Sequence, residues 1–203
     1  MAISLVELAE YVATRFHEGQ FRKHSTSGAA RPYIYHPLKV CDFLIDNGIY
    51  DENLLASSIL HDIVEDCTGH ITFDYGTITK LFNKEVSDLI YWVSHPEIVG
   101  NRTQRWVEYL KHYRQAPDKA KLLKLADRIC NLTESLEFWD SVPDCEKNFI
   151  RKVYLQESRE LSQAIGSVDL QFKANINSLC FKIDEISDVK QQSYYGDLYK
   201  DET

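Results

Sequence analysis

A chain of 203 residues that is 44% hydrophobic and 12% aromatic is long enough to bury one sizeable core, and no second catalytic domain is expected. Its formal net charge of -8 argues against a general nucleic-acid surface, which needs a basic stripe, so any phosphate recognition has to be local. No run approaches the ~18 to 20 consecutive apolar residues of a membrane span, and MAISLVELAEYVA lacks the basic flank of a signal peptide, so a cytoplasmic location is expected.

The five cysteines, Cys41, Cys67, Cys130, Cys145 and Cys180, are odd in number and form no CxxC pair, so neither disulfides nor a thiolate zinc site is expected. Ser4 and Glu7 have capping-box spacing, and Leu5, Leu8, Val12 and Phe16 recur at helical intervals, predicting a first helix over about 4–18. The Gly, Ser and Pro content of EGQFRKHSTSGAARPY then makes a loop that carries Arg22, Lys23 and Arg31. In Tyr33-Ile34-Tyr35-His36-Pro37 the proline suits a first helical turn, which places His36 at or next to an N-cap. Leu38, Cys41, Leu44 and Ile45 carry that helix to a stop at Asn47-Gly48, and Asp51 can cap the next.

The next segment, Leu54 to Asp66, reads as one continuous helix of unusual polarity. At about 100° per residue, His61, Asp62, Glu65 and Asp66 share an arc of about 140°, while Ala56, Ile59, Leu60, Ile63 and Val64 fill the other side. A solvated face normally carries Lys, Glu and Ser; this one carries only ligand and acid-base groups. Beyond it, CTGHITFDYGTITKLFN suggests one or two short helices around a loop, and KEVSDLIYWVS a helix with Val86, Leu89, Ile90 and Val93 inward. A loop at His95-Pro96 precedes RTQRWVEYLKHYRQ, a helix whose Arg102, Arg105, Lys111 and Arg114 suit an exposed basic face or substrate contact.

After Asp118, the residues Leu122, Leu125, Ile129, Leu132 and Leu136 form an apolar stripe. Lys124, Asp127 and Asn131 cluster within roughly 60° on the other side, with Arg128 at the edge, as candidates for contact with a ligand. Two closing helices and a polar tail follow. With almost no alternating strand pattern, the expected class is all-α: one helical domain over 1–187, with a core of about 4–165 and a closing helix of about 168–187, then a tail over 188–203.

Two histidines and two aspartates, His36, His61, Asp62 and Asp127, come from three separate helices and can surround one divalent ion. Mixed nitrogen and oxygen ligands favour a borderline to hard metal with open water positions, such as manganese, iron, cobalt or nickel, over closed tetrahedral zinc. Such an ion polarises a phosphoryl oxygen and lowers the pKa of a bound water, which a nearby carboxylate can orient or deprotonate.

The segments FHEGQFRK, PYIYHP, HDIVED and KLADRICN occur in the order and at about the intervals found in the HD-domain (p)ppGpp hydrolases. These comprise the hydrolase half of the RelA/SpoT enzymes and single-domain forms of animals and bacteria. The chain resembles that family over roughly residues 5 to 165, and GNRTQR and YLQESRELSQAI are similar to segments of its small bacterial members. The resemblance implies an all-helical fold, a manganese ion held by His36, His61, Asp62 and Asp127, and removal of the 3′-pyrophosphate from guanosine tetra- or pentaphosphate, a small-molecule substrate. It further implies that Glu65 and Asp66 position the attacking water, that Arg22 lies beside the base, that Lys23 lies nearer the phosphates or the site wall, and that Asn131 contacts the nucleotide. Two features depart from the family pattern: the segment between Lys23 and Pro32 is longer, and Ile63 stands where Thr is common. No synthetase segment follows, so alarmone synthesis is not expected. Two other functions remain open at this point: hydrolysis of another phosphorylated nucleotide, such as an adenosine alarmone or NADPH, and a silent module that binds a nucleotide or a partner protein.

Overall fold

Ser4 and Glu7 cap each other's backbone amides as their spacing predicts, and from there α1 runs over Leu5–Phe16. The structure, a computed structural model, describes residues 3–22, 31–66 and 73–198, with 188–198 and Asp66 described by backbone alone. Helices α2 (Tyr35–Asp46), α3 (Glu52–Leu60) and α4 (Ile63–Asp66) follow, then α5 (Tyr75–Leu81), α6 (Lys84–Val93) and α7 (Arg102–Gln115). The chain closes with α8 (Asp118–Glu137), α9 (Asp144–Phe149), α10 (Leu155–Ile165) and α11 (Leu170–Leu198). No strand occurs among the described residues, so the class is all-α as expected; a single antiparallel bridge joins Phe21 to Pro32.

Local chemistry explains the boundaries. The carboxylate of Asp51 caps α3 by accepting the Leu54 amide, and Asn83 and Asn101 do the same for α6 and α7. Gly48, with φ of 79°, takes the left-handed turn that ends α2. The bridge has a further use: Arg22 N–H donates to the Arg31 carbonyl at 2.8 Å and Tyr33 N–H to the Gln20 carbonyl at 2.9 Å. These bonds pinch the neck of the loop and deliver Arg22, Arg31 and Tyr33 to one place, whatever the length of the loop between them.

Helix α8 is the axis of the fold and packs against α2, α3, α6, α10 and α11, while α1 lies along α3. Val40, Leu44, Ala56, Leu60, Leu123, Leu125, Leu132, Ile176 and Ile183 are all fully buried between these helices. Three expectations need correction. The segment from Leu54 to Asp66 is not one helix: it breaks at His61–Asp62, where the His61 imidazole Nδ1 lies 2.7 Å from the Ser58 carbonyl and competes for the acceptor that helical continuation needs. His36 is the second residue of α2, whose N-cap is Ile34, so it sits inside the first turn. Finally, α11 continues through residues read as tail, to Leu198. On the polar side of α8, Lys124, Asp127, Arg128 and Glu134 are all under a tenth exposed.

Candidate metal centre and nucleotide site

Three helical segments meet at one buried point. The first turn of α2 supplies His36, the break between α3 and α4 supplies His61 and Asp62, and the middle of α8 supplies Asp127. Ligand atoms of His36, His61 and Asp62 all lie within 4.8 Å of one another. The Oδ1 of Asp127 lies 3.2 Å from His36 Nε2 and 3.7 Å from His61 Nε2, and Asp62 Oδ1 lies 3.2 Å from His61 Nε2. The four expected ligands thus converge, although the first and last are 91 positions apart.

The donor set fits a cation. His61 Nδ1 is spent on the Ser58 carbonyl, which leaves Nε2 as a lone pair in the neutral ring; Nε2 is buried and has no hydrogen-bond partner among the described residues. A lone pair facing two carboxylate oxygens is repulsive unless a positive charge sits between them. Without a metal a proton serves: burial disfavours the charged ring, but Asp62 and Asp127 outweigh it and raise the His61 pKa to about 9. The same attraction, from Lys124, His36 and His61, overcomes burial and keeps Asp127 well below the usual carboxylate range.

A second set of side chains sits beside these four. Tyr33 Oη donates to Asp62 Oδ2 at 2.8 Å, fixing the carboxylate with Oδ1 toward His61 and Oδ2 toward His36. Tyr33 in turn stacks on His17 with ring centroids 4.7 Å apart, and the Arg22 guanidinium lies 5.3 Å from its ring centre. Arg22 is tied down from the other side: its Nε and Nη2 donate to Glu134 Oε2 at 3.1 and 2.6 Å, and Nη2 also donates to Asn131 Oδ1 at 2.8 Å. Asn131 Nδ2 then donates to Asp127 Oδ1 at 2.6 Å. One hydrogen-bonded chain therefore links the α1–α2 loop to the centre.

The other candidates are placed as follows. Lys124 is buried, donates to the Val93 carbonyl at 3.0 Å and lies 3.4 Å from Asp127 Oδ2. Arg128 is buried: its Nη1 donates to Ser158 Oγ at 3.0 Å and its guanidinium lies 4.3 Å from the Tyr154 ring centre, holding α8 against α10. Glu65 is about a third exposed and its hydrogen bonds among the described residues go to His95. Lys23 and the Asp66 side chain lie outside the described residues. Sequence reasoning missed Glu134, Tyr33 and His95. Glu134 follows Asp127 by seven residues and so shares its helix face, a signal that was present; the other two are brought in by a loop neck and a helix end, which periodicity does not reach.

A family model described as the HD domain matches residues 9–151. The chain is 32% identical over 134 residues to the guanosine-3′,5′-bis(diphosphate) 3′-pyrophosphohydrolase MESH1 of Xenopus tropicalis, covering 66% of this chain and 70% of that one. It is 34% identical over 137 residues to the human protein of the same name, with the same coverage. To the bifunctional (p)ppGpp synthase/hydrolase SpoT of Escherichia coli K12 it is 30% identical over 136 residues, covering 64% of this chain and 18% of that protein. A solved structure described as "A metazoan ortholog of SpoT hydrolyzes ppGpp and plays a role in starvation responses" superposes with a TM-score of 0.74 at 22% identity, covering 88% of this chain and 95% of that one. That superposition speaks to the fold.

Proposed function

The chain belongs to the HD-domain (p)ppGpp hydrolase family, and from that premise we propose that it is a metal-dependent hydrolase that removes the 3′-pyrophosphate of guanosine tetra- and pentaphosphate. The observation that carries the reading is the convergence of His36, His61, Asp62 and Asp127 on one buried point, beside Arg22 and Asn131, which are hydrogen-bonded to each other. These four side chains would hold the ion, with manganese the proposed metal; when bound, it supplies a Lewis acid for a phosphoryl oxygen and a more acidic water.

The chain's own residues do the rest. Arg22 and Asn131 contact the nucleoside end, with Glu134 and Tyr33 keeping the guanidinium in place. Asp62 is oriented by the Tyr33 hydroxyl, and Asp127 by Asn131. Glu65 takes a proton from water at a carboxylate oxygen, with Asp66 acting beside it. Water's oxygen bonds to the phosphorus attached to the ribose 3′-oxygen, the bond from that phosphorus to the 3′-oxygen breaks, and the ribose oxygen takes up a proton as pyrophosphate leaves. Burial helps: the ligand side chains His36 and His61 are 1% and 3% exposed, so little bulk water competes for the charges there. No helix among the described residues is long and apolar enough to cross a membrane.

The test is metal analysis of the purified chain followed by measurement of phosphate and pyrophosphate release from a panel of guanosine tetraphosphate, guanosine pentaphosphate, the adenosine counterpart and NADPH. Manganese-dependent release of pyrophosphate from the guanosine compounds is expected. Metal-loaded protein that turns over neither guanosine compound would overturn the reading.

A further inference from the structure

Glu65 is not left free at the edge of the site. Its Oε1 accepts the backbone N–H of His95, and its Oε2 lies 3.3 Å from His95 Nδ1, so one residue grips both oxygens of the carboxylate. His95 lies two residues past the end of α6, in a stretch that is itself tethered. Lys124 of α8 donates to the Val93 carbonyl at 3.0 Å, and the same ammonium is 3.4 Å from Asp127. The His95 ring packs against Tyr109 and Tyr113 of α7, with ring centroids 4.5 and 6.3 Å apart. The position of His95 is therefore set by three helices, while Glu65 sits on α4, a single turn of helix that follows a break.

We propose that His95 is a positioning residue for the hydrolysis: by donating its Nδ1–H to Glu65 Oε2 it holds that carboxylate in one rotamer, facing the reacting water. The inference rests on the assignment of Glu65 as proton acceptor. A glutamate has three rotatable side-chain bonds, and at about one-third exposure nothing else among its described hydrogen bonds restrains it. Each carboxylate oxygen has two lone pairs, so the grip leaves an acceptor position on both oxygens. Burial alone would push the Glu65 pKa up; the hydrogen bonds and charge of His95, with Lys124 beside them, outweigh burial and lower the pKa. Nδ1 must carry a proton in this arrangement.

The side-chain contribution can be isolated, because the backbone bond survives any replacement that keeps an amide N–H. His95→Ala is expected to lower kcat roughly 10-fold with KM and Tm nearly unchanged, since the ring is 38% exposed and carries little of the core. Added imidazole should recover part of the loss. His95→Asn, whose Nδ2 can take the place of Nδ1, should retain most of the activity. In a Glu65→Gln background, His95→Ala should cost nothing more, because it acts through Glu65. Wild-type kcat in His95→Ala, or a full further loss in the Glu65→Gln background, would overturn the proposal while leaving the role of Glu65 intact. Wild-type kcat in metal-loaded Glu65→Gln would instead overturn the assignment of Glu65 itself.

Discussion

Replacing Glu134 by Gln removes one negative charge from between two arginines and leaves the shape unchanged. In the native protein its carboxylate takes Arg22 Nε and Nη2 at 3.1 and 2.6 Å and has Arg31 Nη2 at 2.8 Å, and its side chain is 9% exposed. A hydrogen bond to a charged group contributes ~1.5–3 kcal/mol, and stranding one partner of a fully buried pair costs ~3–5 kcal/mol. Here Arg22 is 20% and Arg31 24% exposed and can recover some water, and Gln still accepts a hydrogen bond, so a loss of about 2 kcal/mol is expected. For a chain of this size that is a fall in Tm of about 4–8 °C. The pH dependence has a definite sign. Burial opposes ionisation of Glu134, but Arg22 outweighs it and lowers its pKa from 4.5. Its contribution is thus complete at pH 7, persists down to the ordinary value, and is lost as pH falls through the lowered one. Urea midpoints of wild type and Glu134→Gln should therefore differ at pH 7 and draw together below about pH 4.5. In turnover assays the variant should raise KM about 10-fold with a smaller change in kcat, because the guanidinium it holds is the proposed contact to the nucleoside, made in ground state and transition state alike. Equal midpoints at pH 7, or a gap that does not narrow on acidification, would refute the reasoning.

Three further outcomes are expected. Alanine at His36 or at Asp127 should abolish metal retention while far-ultraviolet circular dichroism keeps its helical signal; a full equivalent of bound metal in either variant would dissolve the proposed centre. Arg22→Ala should raise KM more than it lowers kcat, and unchanged binding of guanosine tetraphosphate would mean that recognition lies elsewhere. In a Cys67→Ser background, Cys145, which is exposed, should react with a thiol reagent in the folded protein, whereas Cys41, Cys130 and Cys180 should react on unfolding alone. Burial pushes the Cys130 and Cys180 thiols up to about 12 and about 11, so both are reduced in access and in thiolate fraction.

Much of this molecule follows from local chemistry. Caps at Ser4 and Asp51, the stop at Asn47-Gly48 and the shared helix face of Val86, Leu89, Ile90 and Val93 depend on spacing within a few residues, which a linear reading captures. His61 and Asp62 were legible as candidates for a related reason: histidine beside aspartate on a face that a soluble helix would fill with lysine has a chemical purpose before it has a geometry, whereas His36 and Asp127 gained meaning from that pair and from the family resemblance. The break at His61–Asp62 was not legible, because apolar spacing continues unbroken through Ile59, Leu60 and Ile63 while the interruption comes from a side chain claiming a backbone carbonyl. The depth of Lys124, Arg128 and Glu134 was not legible either. Helical periodicity shows which residues share a face, but whether that face meets water or another helix depends on what the rest of the chain lays against it. Here α2, α6 and α10 close around α8 and turn its polar side inward. Only tertiary structure joins Arg22 to Glu134 across 112 positions and Glu65 to His95 across 30, because such contacts are selected by the packing of whole helices and not by any preference of the residues themselves.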